Sequence, residues 1–422
     1  MNLFSSSFTF YKAGQGAFYG GVIRELHGDN YYSMVYDCGT SPFITGHAKT
    51  LNSEISSFKS TLVSLSKDDR PKIDFLFISH LDYDHVCGIK RLLREFNVIK
   101  IILPYIDPLL RVLFFDTYEE GDYEGLLSQE DYGRLLINPV EFFKSFEGQT
   151  TIYFVKAEER NNNDFTAGEI YEVGSPSFID EFIDETNVKV FKNNLELRIR
   201  RKWDFITHVK EVENSVIQYI KSDILDILKL KDNANLSTND LSQLFKLDDN
   251  RKKLRECYKR HLNDINAHGL VLLHGPKNFD RICVGNSICP CKYNYCYCSY
   301  CNNVKLNGAS LYTLLLGDTS LNLNNYPLKF PEPLIEKFKY VHVIQIPHHG
   351  SSKNWNQQQY KLLELGKSLK NSLELTSVCN YGVGNTYNHP SYDILNEVDN
   401  KLVLNNQYTR YTTSYCFIKF ND

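Results

Sequence analysis

The stretch that most constrains the fold is Ile73-Asp74-Phe75-Leu76-Phe77-Ile78-Ser79, followed at once by His80-Leu81-Asp82-Tyr83-Asp84-His85. Its largely apolar start, rich in aromatic and β-branched residues, reads as a buried strand. At the carboxyl end of that strand the chain places two imidazoles and two carboxylates within six residues. No apolar surrounding satisfies four such groups, and the two acids repel one another when bare. A divalent cation resolves both problems, because neutral imidazole nitrogen and carboxylate oxygen are borderline-to-hard ligands. The bland alternative is a solvated acidic turn after a strand. Beyond the motif, Gly88 permits close approach and Ile89–Leu93 starts a helix.

Further short motifs follow in a fixed order. Gly14-Gln15-Gly16 precedes an early strand, and Tyr36-Asp37-Cys38-Gly39 ends the next. Leu316-Gly317-Asp318 comes late, then Pro347-His348-His349-Gly350-Ser351, then Asn385-Thr386-Tyr387-Asn388-His389-Pro390. Taken together they make the chain resemble a metallo-β-lactamase-fold hydrolase. Within that superfamily it is most similar to the hydrolase domain of competence-type DNA-uptake channel proteins, with Asp82 replacing the second histidine of the commoner motif. The resemblance implies an αββα sandwich of the α/β class. It implies two divalent ions, zinc or manganese, with His80 and Asp82 on one, Asp84 and His85 on the other, and Asp318 between them. One of His348 and His349 completes the set, and Asp37 orients the site from behind the ligands. A hydroxide held by the two ions would be the nucleophile. Asp84 and His389 are the expected catalytic contacts, His389 touching phosphate or donating a proton, with a turn role as its alternative. A carboxylate at position 82 hardens the site toward manganese. Relatives often carry one more ligand histidine, for which His208, His261, His268 and His274 are the candidates, none in a convincing motif.

Carboxylate-rich dinuclear sites suit phosphodiesters. The expectation is a metal-dependent phosphodiesterase or nuclease acting on DNA or RNA. The alternatives are cleavage of cyclic or small nucleotides, or of a lactone or thioester, and least of all a non-catalytic interaction module. Large insertions on a hydrolase core suggest a specialised bacterial effector in defence against mobile DNA.

With 422 residues the chain can bury a large core. A net charge of −4 lacks the electrostatic signature of a nucleic-acid coat protein, while leaving room for a nuclease. No apolar stretch approaches the ~20 residues of a membrane span, and the start lacks a basic region and apolar core. The expectation is a cytoplasmic protein without a membrane. Of eleven cysteines, Cys38, Cys87, Cys257, Cys379 and Cys416 are scattered and read as small buried apolar side chains. The others, Cys283, Cys289, Cys291, Cys296, Cys298 and Cys301, form a finger that suits a structural zinc; free thiols and a redox or disulfide role are the alternatives.

Along the chain, residues 1–104 read as the first half of the core and 266–422 as the second, with the Cys-rich finger at 283–301. Between them, 105–265 reads as a mostly helical insertion that sets specificity and offers a surface for a protein partner. Ile217, Ile220, Ile224, Ile227 and Leu228 form one helical face. The basic, aromatic run 187–203 is either a grip for a phosphate backbone or a solvated face. Leu362–Leu369 reads as helix and Tyr408–Phe420 as the terminal strand.

Overall fold

The computed structural model describes residues 2–26, 30–118, 124–146, 150–156, 170–173, 187–192, 195–210, 214–231, 236–245, 248–261, 268–277, 279, 281–285, 302–304, 310–322, 330–369 and 374–419. Its strands are β1 (Asn2–Phe10), β2 (Phe18–Glu25), β3 (Tyr31–Cys38), β4 (Lys72–Phe77), β5 (Asn97–Pro104), β6 (Thr151–Lys156), β7 (Ile170–Val173), β8 (Val188–Lys192) and β9 (Glu196–Ile199). They continue with β10 (Trp203–His208), β11 (Val271–Pro276), β12 (Arg281–Gly285), β13 (Asn302–Val304), β14 (Tyr312–Leu315), β15 (Val341–Gln345), β16 (Thr376–Asn380), β17 (Lys401–Asn405) and β18 (Tyr411–Lys419). One sheet runs β13-β12-β18-β1-β2-β3-β4-β5-β6-β8, the other β17-β16-β15-β14-β11-β10-β9-β7.

Period-two alternation decides which side chains each layer receives. Phe75 and Phe77 point into the core between the sheets, where they meet Phe205, Leu272, Leu315 and Val343. Their neighbours Leu76 and Ile78 point the other way, under helices that contribute Leu51, Ile55, Leu92 and Leu135. The second sheet repeats the pattern. Leu272 faces inward, while Val271 and Leu273 join Leu334, Phe338 and Ile394 on the outer side. The result is helix, sheet, sheet, helix: the αββα sandwich of the α/β class that the resemblance implied.

The first sheet is antiparallel on one side and parallel on the other, and the second has an antiparallel middle, β14-β11-β10-β9, with a parallel pair β9-β7 at its far edge. β3, β4, β5, β6 and β8 are parallel in the first sheet, and β14, β15, β16 and β17 in the second. Parallel strands gather side chains at their carboxyl ends. The motif follows β4, Asp318 follows β14, His348 and His349 follow β15, and His389 lies beyond β16.

Among the described residues, 105–265 hold more helix than strand, with helices such as Asn214–Leu228 and Asp248–His261, and they also supply β6 to β10, which belong to both sheets. Those strands are short, so no long alternation announces them. The run 187–203 is laid into the fold by its apolar side chains. Phe191, Leu195, Leu197 and Trp203 are buried between the sheets, Arg198 is held by Glu196 and Asp204, and Arg200 by Glu25. The helix expected over Leu362–Leu369 lies earlier, at Gln357–Leu362. Of the finger, Cys283 lies on β12, paired with β18 and β13; Cys289, Cys291, Cys296, Cys298 and Cys301 lie outside the described residues.

Candidate metal centre

The site begins with Asp37, a buried residue next to the end of β3, held in the left-handed region at φ 55°. Its Oδ1 accepts from the Ser79 amide at 2.7 Å and its Oδ2 from the Ser79 hydroxyl at 2.6 Å. Because that hydroxyl's one proton is committed to Asp37, His80 Nδ1, 2.8 Å from Ser79 Oγ, is the donor of its own bond. His85 Nδ1 likewise donates to Asp37 Oδ2 at 2.9 Å. His349 Nδ1 donates to the Asn380 carbonyl at 3.2 Å. Three imidazoles thus carry their proton on Nδ1, which leaves each Nε2 lone pair facing the same space.

In that space ligand atoms of His80, His85 and Asp318 lie within 4.8 Å of one another, and so do ligand atoms of Asp84, His85 and His349. His85 Nε2 is 3.1 Å from Asp318 Oδ1, His349 Nε2 is 3.3 Å from Asp84 Oδ2 and 3.6 Å from Asp318 Oδ2, and Asp82 Oδ2 is 3.5 Å from His80 Nε2. His85 therefore stands in both groups, rather than on one side only as the motif's pairing suggests. Of the two late histidines, His349 is buried in the cluster, while His348 lines the cleft above it with Nδ1 3.8 Å from Asp318.

These residues fit a cation. His80, His85 and His349 Nε2 and His348 Nδ1 are all buried and lack a well-aligned hydrogen-bond partner, a cost that native sites bear for a reason. The cluster's own fields point the same way. Burial alone would raise the Asp318 carboxyl, yet the imidazoles of His349, His85 and His348 hold it well below the usual range. Burial opposes a charged His85, but Asp318 and Asp84 carry its pKa well above that of a free imidazole. A pocket that recruits protons this strongly recruits divalent ions by the same attraction.

The backbone is strained where it delivers these groups. His348 (φ 46°), His349 (φ 53°) and Gly350 (φ 80°) are left-handed in succession, which is costly for the two histidines. A Cβ on Gly39 would overlap the Asp84 carbonyl, so only glycine lets β3 pass this close to the motif.

Above the cluster lies a cleft of about 600 Å³ lined by Asp82, Asp84, Asp318, His348, His349 and His389, with Asp116, Arg255, Phe43 and Tyr387 on its walls. Burial, with the charges of His349 and His348, pushes His389 down to about 4. Arg255 grips Asp116 through Nε at 2.8 and 2.9 Å. His208, His268 and His274 join neither group, and His261 lies in a separate one. His274 is sunk between the sheets against Tyr19, and His268 Nδ1 bonds the Lys210 carbonyl. Sequence reasoning missed Ser79, although it adjoins the motif, and it missed Arg255 and Asp116, which no motif marks because tertiary packing alone brings them here.

Residues 22–161 match the model of the metallo-beta-lactamase superfamily. No curated protein matches the chain. The crystal structure of unliganded yeast PDE1 is similar over 99% of this chain and 100% of that chain, at 9% identity and a TM-score of 0.31, a likeness that carries no functional inference. The match covers about a third of the chain, and the two-sheet fold around it is consistent with the metallo-β-lactamase fold, which suggests a metal-dependent hydrolase.

Proposed function

We propose that the protein is a metal-dependent phosphodiesterase acting on nucleic acid or a nucleotide. The observation that carries this is the convergence of three Nε2 lone pairs with Asp82, Asp84 and Asp318 on the floor of a cleft whose walls offer Arg255 and His389. Two divalent ions, zinc or manganese, would be held by His80, Asp82, Asp84, His85, Asp318 and His349. When bound they supply Lewis-acid polarisation of the phosphoryl oxygens and a nucleophile at neutral pH.

The chain's own groups do the rest. Asp37, through Ser79 and directly, fixes the rings of His80 and His85. His389, neutral at pH 7, has both a donor and an acceptor nitrogen and stands ready to pass a proton to a departing oxygen. Arg255 offers a planar fork suited to a phosphate once it releases Asp116. Phe43 and Tyr387, 65% and 58% exposed at the cleft, present ring faces on which bases stack.

The test is turnover by the purified protein, with added Mn²⁺ or Zn²⁺, on single-stranded DNA, duplex DNA, RNA, cyclic dinucleotides and carboxyl esters. Cleavage of a phosphodiester substrate is expected; ester or lactone cleavage alone would overturn the reading. For the cysteines from 283 to 301 we propose a structural zinc. Native mass spectrometry with no zinc and six freely titratable thiols would exclude it.

A further inference from the structure

A second cluster lies away from the cleft floor, between the helices Asn214–Leu228 and Asp248–His261. Cys257 and His261 are one turn apart on the second helix, so their side chains share a face. Tyr219 and Asp223 make the same step on the first. The two faces meet. His261 Nε2 is 2.8 Å from Asp223 Oδ2, and ligand atoms of Asp223, Cys257 and His261 lie within 4.8 Å of one another. The Tyr219 ring lies parallel to the His261 imidazole, 5.8 Å away and 8° from coplanar, which fixes the ring's plane.

We propose that Asp223, Cys257 and His261 form a zinc site independent of the candidate metal centre, clamping these two helices together. One sulfur, one nitrogen and one oxygen are a borderline donor set that zinc accepts in tetrahedral geometry. Cys257 is fully buried, while the Asp223 and His261 side chains keep 16% and 20% of their exposure. The thiol therefore closes the inner side, and the outer side stays open for water as a fourth ligand. Arg260 Nη1, 3.3 Å from the Asp223 carboxylate, is the competing cation, but its side chain is 59% exposed and free to swing away. Without metal, the thiol and the imidazole both share the carboxylate through hydrogen bonds; on zinc binding the thiol proton would leave to solvent and the imidazole proton would sit on Nδ1, freeing the sulfur and Nε2 as ligands.

The placement gives the site a consequence. Arg255 lies two residues before Cys257 on the same helix and reaches the cleft wall, where it holds Asp116. A metal tying Cys257 and His261 to Asp223 would fix that helix, and with it the guanidinium. The site does not rest on the phosphodiesterase reading.

Cobalt(II) titration of the full-length, metal-stripped protein tests it. The histidine and carboxylate cluster gives no thiolate-to-cobalt charge-transfer band. Any such band from the cysteines at 283–301 is common to wild type and variants, so the comparison isolates Cys257. Cys257→Ser and His261→Gln should each bind one equivalent fewer than wild type, and Cys257→Ser should also lose part of the charge-transfer intensity. Equal stoichiometry and equal band intensity would show that the three residues form a hydrogen-bonded network only. If Cys257→Ser fails to fold, His261→Gln, which keeps an amide facing Asp223, decides by stoichiometry.

Discussion

Asp318 faces three imidazoles, His85 at 3.1 Å, His349 at 3.6 Å and His348 at 3.8 Å, and it follows a glycine at φ 55° whose Cβ would meet Ser79 at 2.8 Å. If it stands between two ions, its loss removes a ligand from both and leaves like charges unscreened. Asp318→Ala should lower the metal content by one or two ions relative to wild type and abolish hydrolysis, with far-ultraviolet circular dichroism unchanged. Elemental analysis that finds the wild-type metal content, with near-native turnover, would place the bridge elsewhere. Asp37 acts one shell back, accepting three hydrogen bonds that aim His80 and His85. Asp37→Asn should weaken metal affinity ~10–100-fold, the usual effect of disturbing an orienting partner; calorimetric titration with Mn²⁺ showing native affinity would refute that role. At this scale the candidate site was legible, because its six proposed ligands follow the recognisable ends of β4, β14 and β15. Ser79 was not singled out, since a serine beside a motif has no spacing signal of its own and its part depends on where Asp37 points.

Among the elements, the strands that end in chemistry were the easiest to read: β4 and β15 are short apolar runs that stop at histidines and acids. The stretch 105–265 was harder. Its helical face at Ile217–Leu228 shows a clear 3.6 period, but β8 to β10 are four to six residues long and carry charge, part of which the fold pairs, as Arg198 with Glu196 and Asp204. A basic residue followed by an apolar one looks the same whether the base meets phosphate or Glu196. The helix Asp248–His261 links this stretch to the cleft through Arg255. If Arg255 meets substrate phosphate, Arg255→Ala should raise KM for a phosphodiester ~10-fold or more with a smaller change in kcat, the pattern of lost ground-state binding. Steady-state kinetics showing kcat falling with KM unchanged would instead put Arg255 at the reacting atoms.

For the whole molecule, the site exists only because the two sheets close on one another, and His274 reports on that closure. It rises from β11 into the inter-sheet core, where its ring packs against Phe8 at 4.8 Å, Tyr19 at 5.6 Å, Phe205 at 5.8 Å and Trp203 at 5.9 Å. Phe8 and Tyr19 come from the first sheet, the others from the second. Burial pushes its pKa down to about 3, against ~6.5 for an unfolded histidine. The folded chain therefore binds fewer protons than the unfolded one between these values, and the stability this group contributes is complete above pH ~6.5. It is lost as pH falls toward 3, at up to about 1.4 kcal/mol per pH unit. Denaturant unfolding of the chelated protein at pH 7 and pH 4.5 should thus show a loss of stability with a component from His274 on the order of 2–3 kcal/mol. His274→Phe keeps an aromatic ring between the sheets but forfeits the bond to the Tyr19 hydroxyl, so it should be weaker at pH 7. Its further loss on acidification should be smaller than that of wild type by the same component, because the variant no longer has the proton-binding difference. Buried His342, whose pKa falls to about 4, titrates alike in both proteins and cancels. Parallel pH dependence in the two would mean that His274 is protonated in the folded state, and that the inter-sheet core admits a charge where the ring packing excludes one.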